Sequence, residues 1–491
     1  MKTIITFLTI FFFLTCIKTL AQEKYEYISE TDSLVLRKLD VWQDLKFGLL
    51  MHWQPSSQWG VVESWSICPE DYGWCQRKKG SHPENYFEYK KEYENLKTTF
   101  NPVNFDTDKW AKTAKDAGMK YVIFTTKHHD GFCMFDTKYT DYKITDKACP
   151  FHLNPKANIT KEIFDAFRKQ GLWTGAYFSK PDWHSEYYWD PYFPPFDRNV
   201  NYDPEEYPEK WQKFVGYTHN QILELMGNYG KVDILWLDGG WVAVQSDIQS
   251  WYNRAIKKSP GGFLKSKIVN QDIKMDELVE KARKLQPGLI VVDRAVTGKN
   301  QNYLTPENQV PEKAIPYPWE SCIISGGGWS WVPDAKYKSA YSLVHLLIDI
   351  VCKGGNLLLN IAPGPDGSWD EKAYERLNAI GDWMKINGEA IYGTRPIAPY
   401  KEAKICYTNK KNSNTVYAIY LPDENEEKIP SEIMIYSFKP KTGTGVTLLG
   451  YSQQLNWEEV GNGTLIYVPV DIQNNPKNKY AWAFKINEIE K

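Results

Sequence analysis

Residues 231–240, Lys231-Val232-Asp233-Ile234-Leu235-Trp236-Leu237-Asp238-Gly239-Gly240, run largely apolar, stop at a carboxylate and turn at once through two glycines. Val232, Ile234, Leu235 and Leu237 suit a strand covered on both faces, as strands of parallel sheets are. An ionised Asp238 at the end of such a strand must be hydrogen-bonded, paired or put to chemical use. Two readings stand side by side. Asp238 caps a following helix, where Asp is a favoured residue, or it is an acid at the carboxyl end of a barrel strand, where catalytic groups gather.

Outward from this segment, residues 45 to about 390 alternate short apolar runs with amphipathic stretches, the pattern of parallel-sheet folds. Strands are predicted over 46–53, 119–126, 172–179, 232–238, 289–293 and 356–361. Helices are predicted over 106–117, from the Asn158-Ile159-Thr160 start to 169, and over 209–226, 275–285 and 340–351. His52, His128, His129, Asp130, Asp238, Asp293 and Arg294 all fall at or just after the carboxyl ends of those strands. A (β/α)8-like (TIM) barrel places such residues around one mouth. A doubly wound sheet also gathers strand ends, but the first strand is not followed by the Gly-x-Gly-x-x-Gly turn of a nucleotide site.

Two insertions interrupt the alternation. Residues 54–100 carry Trp59, Trp65 and Trp74, and residues 181–204 are dense in aromatics and proline. Long loops on the active face of a barrel are expected to wall a pocket, unless they only pack their own aromatics on the surface. After Gly393-Thr394-Arg395-Pro396 the texture changes to short β-type runs at 415–421, 433–437, 445–449, 464–470 and 480–486. These predict a C-terminal antiparallel β-sandwich over 397–491, behind a catalytic domain over 22–396.

Lys and Arg number 59 against 61 Asp and Glu, a formal net charge of −2. That balance offers no basic stripe for a nucleic acid. Residues 1–21 pair a basic start with an apolar run from Ile4 to Leu14 and end in Thr19-Leu20-Ala21, as a secretory signal peptide does. Cleavage after Ala21 is preferred to lipidation at Cys16, because Thr15 suits the residue before a lipidated cysteine poorly. No later stretch reaches the length of a membrane span. The expectation is an exported protein, periplasmic or secreted. Without Cys16 seven cysteines remain, too few for a disulfide scaffold; Cys68 and Cys75 are near enough to bridge one loop, and Cys352 reads as a small core residue.

Two carboxyls flanking one bond are what glycoside hydrolysis requires. Asp238 is the first candidate; Glu307, Glu312 and Glu320, placed on loops after Arg294, compete for the second. The aromatic content, 15% of residues, fits sugar stacking as well as ordinary core packing. Metal chemistry is the competing use of the histidines. His128 and His129 would point to opposite faces if they lay on a strand, and no His-x-x-x-His helical pair accompanies them. A Gly-x-Ser-x-Gly elbow for a serine hydrolase is missing as well.

At this point the motifs converge. Lys46-Phe47-Gly48-Leu49-Leu50-Met51-His52-Trp53, Lys127-His128-His129-Asp130-Gly131-Phe132, Leu235-Trp236-Leu237-Asp238-Gly239, Asp293-Arg294, Trp319-Glu320 and Gly355-Asn356-Leu357-Leu358-Leu359-Asn360 occur in that order. Ile380 to Met384 and Asn387 to Thr394 follow as a closing segment. Over residues 46–396 the chain resembles the family 29 glycoside hydrolases, the α-L-fucosidases.

The resemblance implies a retaining exo-glycosidase with a (β/α) barrel, a C-terminal β-sandwich, no metal and no cofactor, acting on terminal α-L-fucose of oligosaccharides or polysaccharides. It implies Asp238 as nucleophile and Glu307 as acid/base in preference to Glu320, whose Trp-Glu block reads as a supporting element. It further implies His52, Trp53, His128, His129, Tyr177 and Arg294 around the sugar. Glu63 and Trp65 join them from the pocket loop, although Glu63-Ser64-Trp65 departs from the commoner Glu-Trp spelling. Phe132 is expected to offer an apolar surface to the fucose methyl. An α-L-galactosidase on the same scaffold and a non-catalytic carbohydrate-binding protein are the alternatives.

Overall fold

The computed structural model describes residues 26–258 and 268–490; the expected leader, Cys16 included, lies outside them. The six apolar runs and one further stretch form seven parallel strands: β1 (Phe47–Met51), β2 (Tyr121–Lys127), β3 (Trp173–Ser179), β4 (Ile234–Asp238), β5 (Ile290–Asp293), β6 (Glu320–Ile324) and β7 (Asn356–Asn360). They hydrogen-bond in the order β5-β4-β3-β2-β1-β7-β6. Alternate residues of each strand enter two different cores. Leu50, Ile123, Tyr177, Ile234, Trp236, Ile290 and Leu358 fill the interior. Leu49, Phe124, Phe178, Leu235, Leu237, Val291 and Leu359 face the surrounding helices. With both faces buried, a period-two strand reads as an unbroken apolar run.

The helices are α1 (Ser33–Leu45), α2 (Tyr86–Asn95), α3 (Thr107–Asp116), α4 (Ile159–Lys169), α5 (Pro208–Asn228), α6 (Gln245–Lys258), α7 (Met275–Leu285), α8 (Ala340–Cys352) and α9 (Glu371–Asn387). Several start where a side chain takes up orphan N–H groups: Asn158 accepts from Lys161 N, Asp106 from Lys109 N and Ser339 from Ser342 N. Sequence patterning did not pick out α1, α2, α6 or α9 as helices.

The eighth position of the barrel is not a regular strand. Edge strands β5 and β6 are joined through residues 300–308. Asn302 N donates to Val291 O and Asp293 N to Asn300 O on one side; Glu320 N donates to Leu304 O and Asn308 N to Cys322 O on the other. This extended segment closes the wall and carries Glu307, bridged to Cys322. Glu320 is not on a loop, as expected from sequence, but opens β6, a strand the apolar pattern missed. Glu312 stays on an exposed loop.

Beyond α9, strands β8 (Thr394–Glu402), β9 (Ile405–Lys410), β10 (Val416–Tyr420), β11 (Glu432–Ile435), β12 (Val446–Leu448), β13 (Gln454–Val460), β14 (Gly463–Tyr467) and β15 (Trp482–Ile486) follow. They form one antiparallel sheet in the order β11-β14-β13-β12-β15-β10-β9-β8. Ile433 and Ile466 from one end of that order share a core with Ile405 and Val416 from the other, so the sheet folds over on itself. Its opposite face, through Cys406, Tyr417, Ile419 and Ala483, joins the core of the barrel's outer layer. Cys68 and Cys75 are buried free thiols with sulfur atoms within 4.8 Å of each other; Cys352 is buried in α8, equally close to Cys406.

Candidate active site

The helix-cap reading of Asp238 fails on distance along the chain: the next helix, α6, begins only at Gln245. Between them Gly239 takes φ 88°, and a Cβ there would stand 2.3 Å from Cδ of Pro181. A glycine is what lets β4 turn this close to the loop after β3. The carboxylate of Asp238 is bonded by Arg294 Nη1 at 3.0 Å and by the Tyr177 hydroxyl at 2.7 Å. Burial opposes its charge, but the Arg294 guanidinium and the hydrogen bonds from Tyr177 and Gly239 outweigh that. Together they hold the carboxyl far below the usual carboxylate range.

Asp238 opens onto a cavity of about 470 Å³ at the carboxyl ends of the strands, lined also by His52, Glu63, Trp65, His128, Tyr177, Arg294 and Glu307. Arg294 bonds both acids at once, Asp238 through Nη1 and Glu307 through Nη2. The second oxygen of Glu307 accepts from Trp329 Nε1 at 3.2 Å, and its side chain is 42% exposed.

The histidines are neutral donors and acceptors. Asn360 Nδ2 donates to Trp329 O at 2.8 Å, which turns Asn360 Oδ1 towards His52 Nδ1 at 3.0 Å. His52 therefore carries its proton on Nδ1 and leaves Nε2 as an acceptor. Burial lowers its pKa to about 4 and that of His129 to about 3. His128 Nδ1 lies 2.6 Å from Ser64 Oγ. His129 sits behind the cavity surface, 3.8 Å from Asp238 and packed on Trp65 and Trp183.

Because β2 ends at Lys127, His128 and His129 lie in the turn beyond it and do not point to opposite faces. His128, His129 and Asp238 bring one ligand atom each within 4.8 Å of one another. That spacing corrects the premise on which a shared ligand set was set aside, although both oxygens of Asp238 already have partners in Arg294 and Tyr177.

Glu63 combines a φ of 38° with a buried carboxyl. Its Oε1 accepts from Ser330 N at 2.7 Å, and its Oε2 has no partner among the described residues. Burial, reinforced by the charges of Glu307 and Asp238, pushes the carboxyl up to about 8.

Besides His129, three expected residues do not line the cavity. Trp53 is buried among Phe100, Phe105 and Trp110 with its Nε1 on Gly364 O. Phe132 is buried against Tyr142 and offers no surface to a sugar. Glu320 is enclosed behind Trp236, accepting from the Tyr121 hydroxyl at 2.5 Å and from Trp236 Nε1 at 3.3 Å.

A model of the family described as Alpha-L-fucosidase matches residues 14–389, and one of its C-terminal domain matches residues 400–487. The chain belongs to the α-L-fucosidase family. It is 28% identical to the plasma α-L-fucosidase of Pongo abelii, covering 93% of this chain and 92% of that one. Among solved structures it is similar to α-L-fucosidase isoenzyme 1 from Paenibacillus thiaminolyticus, with TM-score 0.71, 27% identity and coverage of 94% and 100%. It is likewise similar to the Thermotoga maritima α-fucosidase in complex with a mechanism-based inhibitor, with TM-score 0.68, 25% identity and coverage of 94% and 100%.

The fucosidase pocket also contains residues that sequence reading passed over. Trp236 stacks on Tyr177 at 5.2 Å and lies under Arg294. Its position two residues before Asp238 on the same strand face was a usable signal. Trp329, Trp241 and Arg198 come from long loops, where no periodicity marks them.

Proposed function

We propose that this glycoside hydrolase is a retaining exo-α-L-fucosidase in which Asp238 is the nucleophile and Glu307 the acid/base. The observation that carries the reading is the single Arg294 guanidinium bonded to both carboxylates. One guanidinium in contact with both acids favours the short spacing of a nucleophile and acid pair, roughly 5–5.5 Å, over the roughly 6.5–9.5 Å that admits an attacking water between them.

Ionised Asp238 attacks the anomeric carbon while Glu307 protonates the departing oxygen. Asp238 loses its negative charge to the new ester bond as Glu307 gains one by giving up its proton. Arg294, in contact with both, remains paired with whichever carries the charge. Water activated by Glu307 then reverses the step. His52 Nε2, His128 and the Glu63 carboxyl supply hydrogen bonds to the sugar hydroxyls, and His129 supports Asp238 from behind. Neither α-L-galactosidase activity nor binding without turnover gains support from the pocket or the relatives.

The test is the product anomer. With an aryl α-L-fucoside, NMR of the first turnovers should show α-fucose; β-fucose would mean inversion and would overturn the assignment. Among the described residues no helix is long and apolar enough to cross a membrane. The leader-like residues 1–21 support an exported enzyme acting on fucosylated glycans. The separate family matches over 14–389 and 400–487 support a catalytic domain over 22–396 and a C-terminal domain over 397–491.

A further inference from the structure

The cavity grades from buried to exposed. His52 and Glu63 are closed off from solvent, whereas Glu307 and Trp74, both lining it, are 42% and 48% exposed. The oxygen that Glu307 protonates joins fucose to the next ring, so that ring lies toward the exposed rim of the cavity, to which Trp74 also belongs. Trp74 belongs to the first insertion and sits in a short 3-10 helix, Gly73–Cys75, anchored by buried Cys75. Its indole lies parallel on Tyr72, ring centres 4.4 Å apart and planes 8° from each other. Cys75 N donates to Tyr72 O at 3.0 Å and ties the two ends of the turn together. A half-exposed tryptophan held flat by a second ring, at the rim of a sugar pocket, is a preorganised apolar plane awaiting a ligand.

On the fucosidase reading, we infer that Trp74, backed by Tyr72, is the stacking platform for the sugar to which fucose is attached. Its ligand is a hexopyranose that lays its C–H face on the indole. The natural substrate is then a fucosylated glycan with a pyranose next to fucose, and Trp74 sets aglycone affinity without taking part in the chemistry at the anomeric carbon.

The test compares wild type with Trp74→Ala on α-L-fucosyl fluoride, which has no second ring, and on a linkage panel of fucosyl-hexose disaccharides. For the best disaccharide, kcat/KM relative to the fluoride should fall about tenfold, the scale of one aromatic contact, and the loss should lie mainly in KM. Trp74→Phe should recover most of it, and Tyr72→Ala should show a smaller loss of the same kind. Equal losses on both substrates, no loss on the disaccharide, or a wild type that cleaves the fluoride but no disaccharide would each overturn the platform. A wild type that turns over neither substrate would sink the fucosidase reading itself, and the platform with it.

Discussion

Asp238 is ionised because Arg294, Tyr177 and the Gly239 N–H outweigh the cost of its burial. Its replacement by Gly should leave a folded protein whose kcat on an aryl fucoside is lower by about 10³-fold or more, as expected when a covalent nucleophile is removed. Near-normal turnover would dismiss Asp238 as nucleophile. Glu63 poses the opposite electrostatic problem, a carboxyl kept protonated up to about pH 8 by burial beside two other acids. Below that pH it can donate to a sugar hydroxyl; above it, it ionises beside Glu307 and Asp238. KM should therefore rise as pH passes about 8, and Glu63→Gln, which keeps a donor at every pH, should flatten that limb. A wild-type KM that stays level from pH 7 to 9 would refute the role. The sign for stability follows from the same shift. The folded state binds this proton more tightly than the unfolded one between pH 4.5 and 8, so the contribution of Glu63 is largest below pH 4.5 and falls as pH rises through that window.

At the scale of elements, the turn after β4 is the constrained piece. Gly239→Ala combines a left-handed backbone with a Cβ 2.3 Å from Pro181. It should cost about 2 kcal/mol or more and displace Asp238, so the denaturation midpoint and kcat should fall together. A stable, fully active variant would show that the loop after β3 yields freely. This turn was legible in the sequence because an apolar run, an acid and two glycines each have one physical reason to stand in that order. Six of the seven barrel strands were legible for the same reason. The seventh, β6, was not, because it opens with Glu320 and Ser321 and leaves only Cys322, Ile323 and Ile324 as an apolar run, too short to stand out. The segment 300–308 hides in the same way: it is polar and irregular, and it belongs to the wall only through hydrogen bonds to β5 and β6. Of the strand-end polar residues, His52, His128, Asp238 and Arg294 line the cavity, whereas His129, Asp130 and Asp293 are buried away from it; a motif does not say on which side of a strand end a side chain lies. Trp53 and Phe132 flank histidines of the site and both turn into the core.

At the scale of the molecule, the question is why a pocket built wholly from the barrel comes with a second domain. Among the described residues, none that lines the cavity lies beyond Trp329. The C-terminal sheet instead completes the outer layer of the barrel: Tyr417, Ile419 and Ala483 share a core with Leu347, Leu377 and Trp383. Polar ties accompany this packing. Trp383 Nε1 of α9 donates to Ala481 O at 2.9 Å, and His345 Nε2 of α8 pairs with Tyr480 O at 2.7 Å. Removing the sheet would bare the apolar backs of α8 and α9, and an exposed patch of that kind drives aggregation. The two parts should therefore unfold together, with tryptophan fluorescence and activity lost at one urea midpoint. Trp383→Phe leaves Ala481 O buried and unpaired, so that midpoint should fall by the equivalent of about 1–3 kcal/mol while kcat per folded molecule stays the same. Two separated transitions, or a loss of kcat in the folded Trp383→Phe enzyme, would mean that the sheet either stands apart from the barrel or reaches its chemistry.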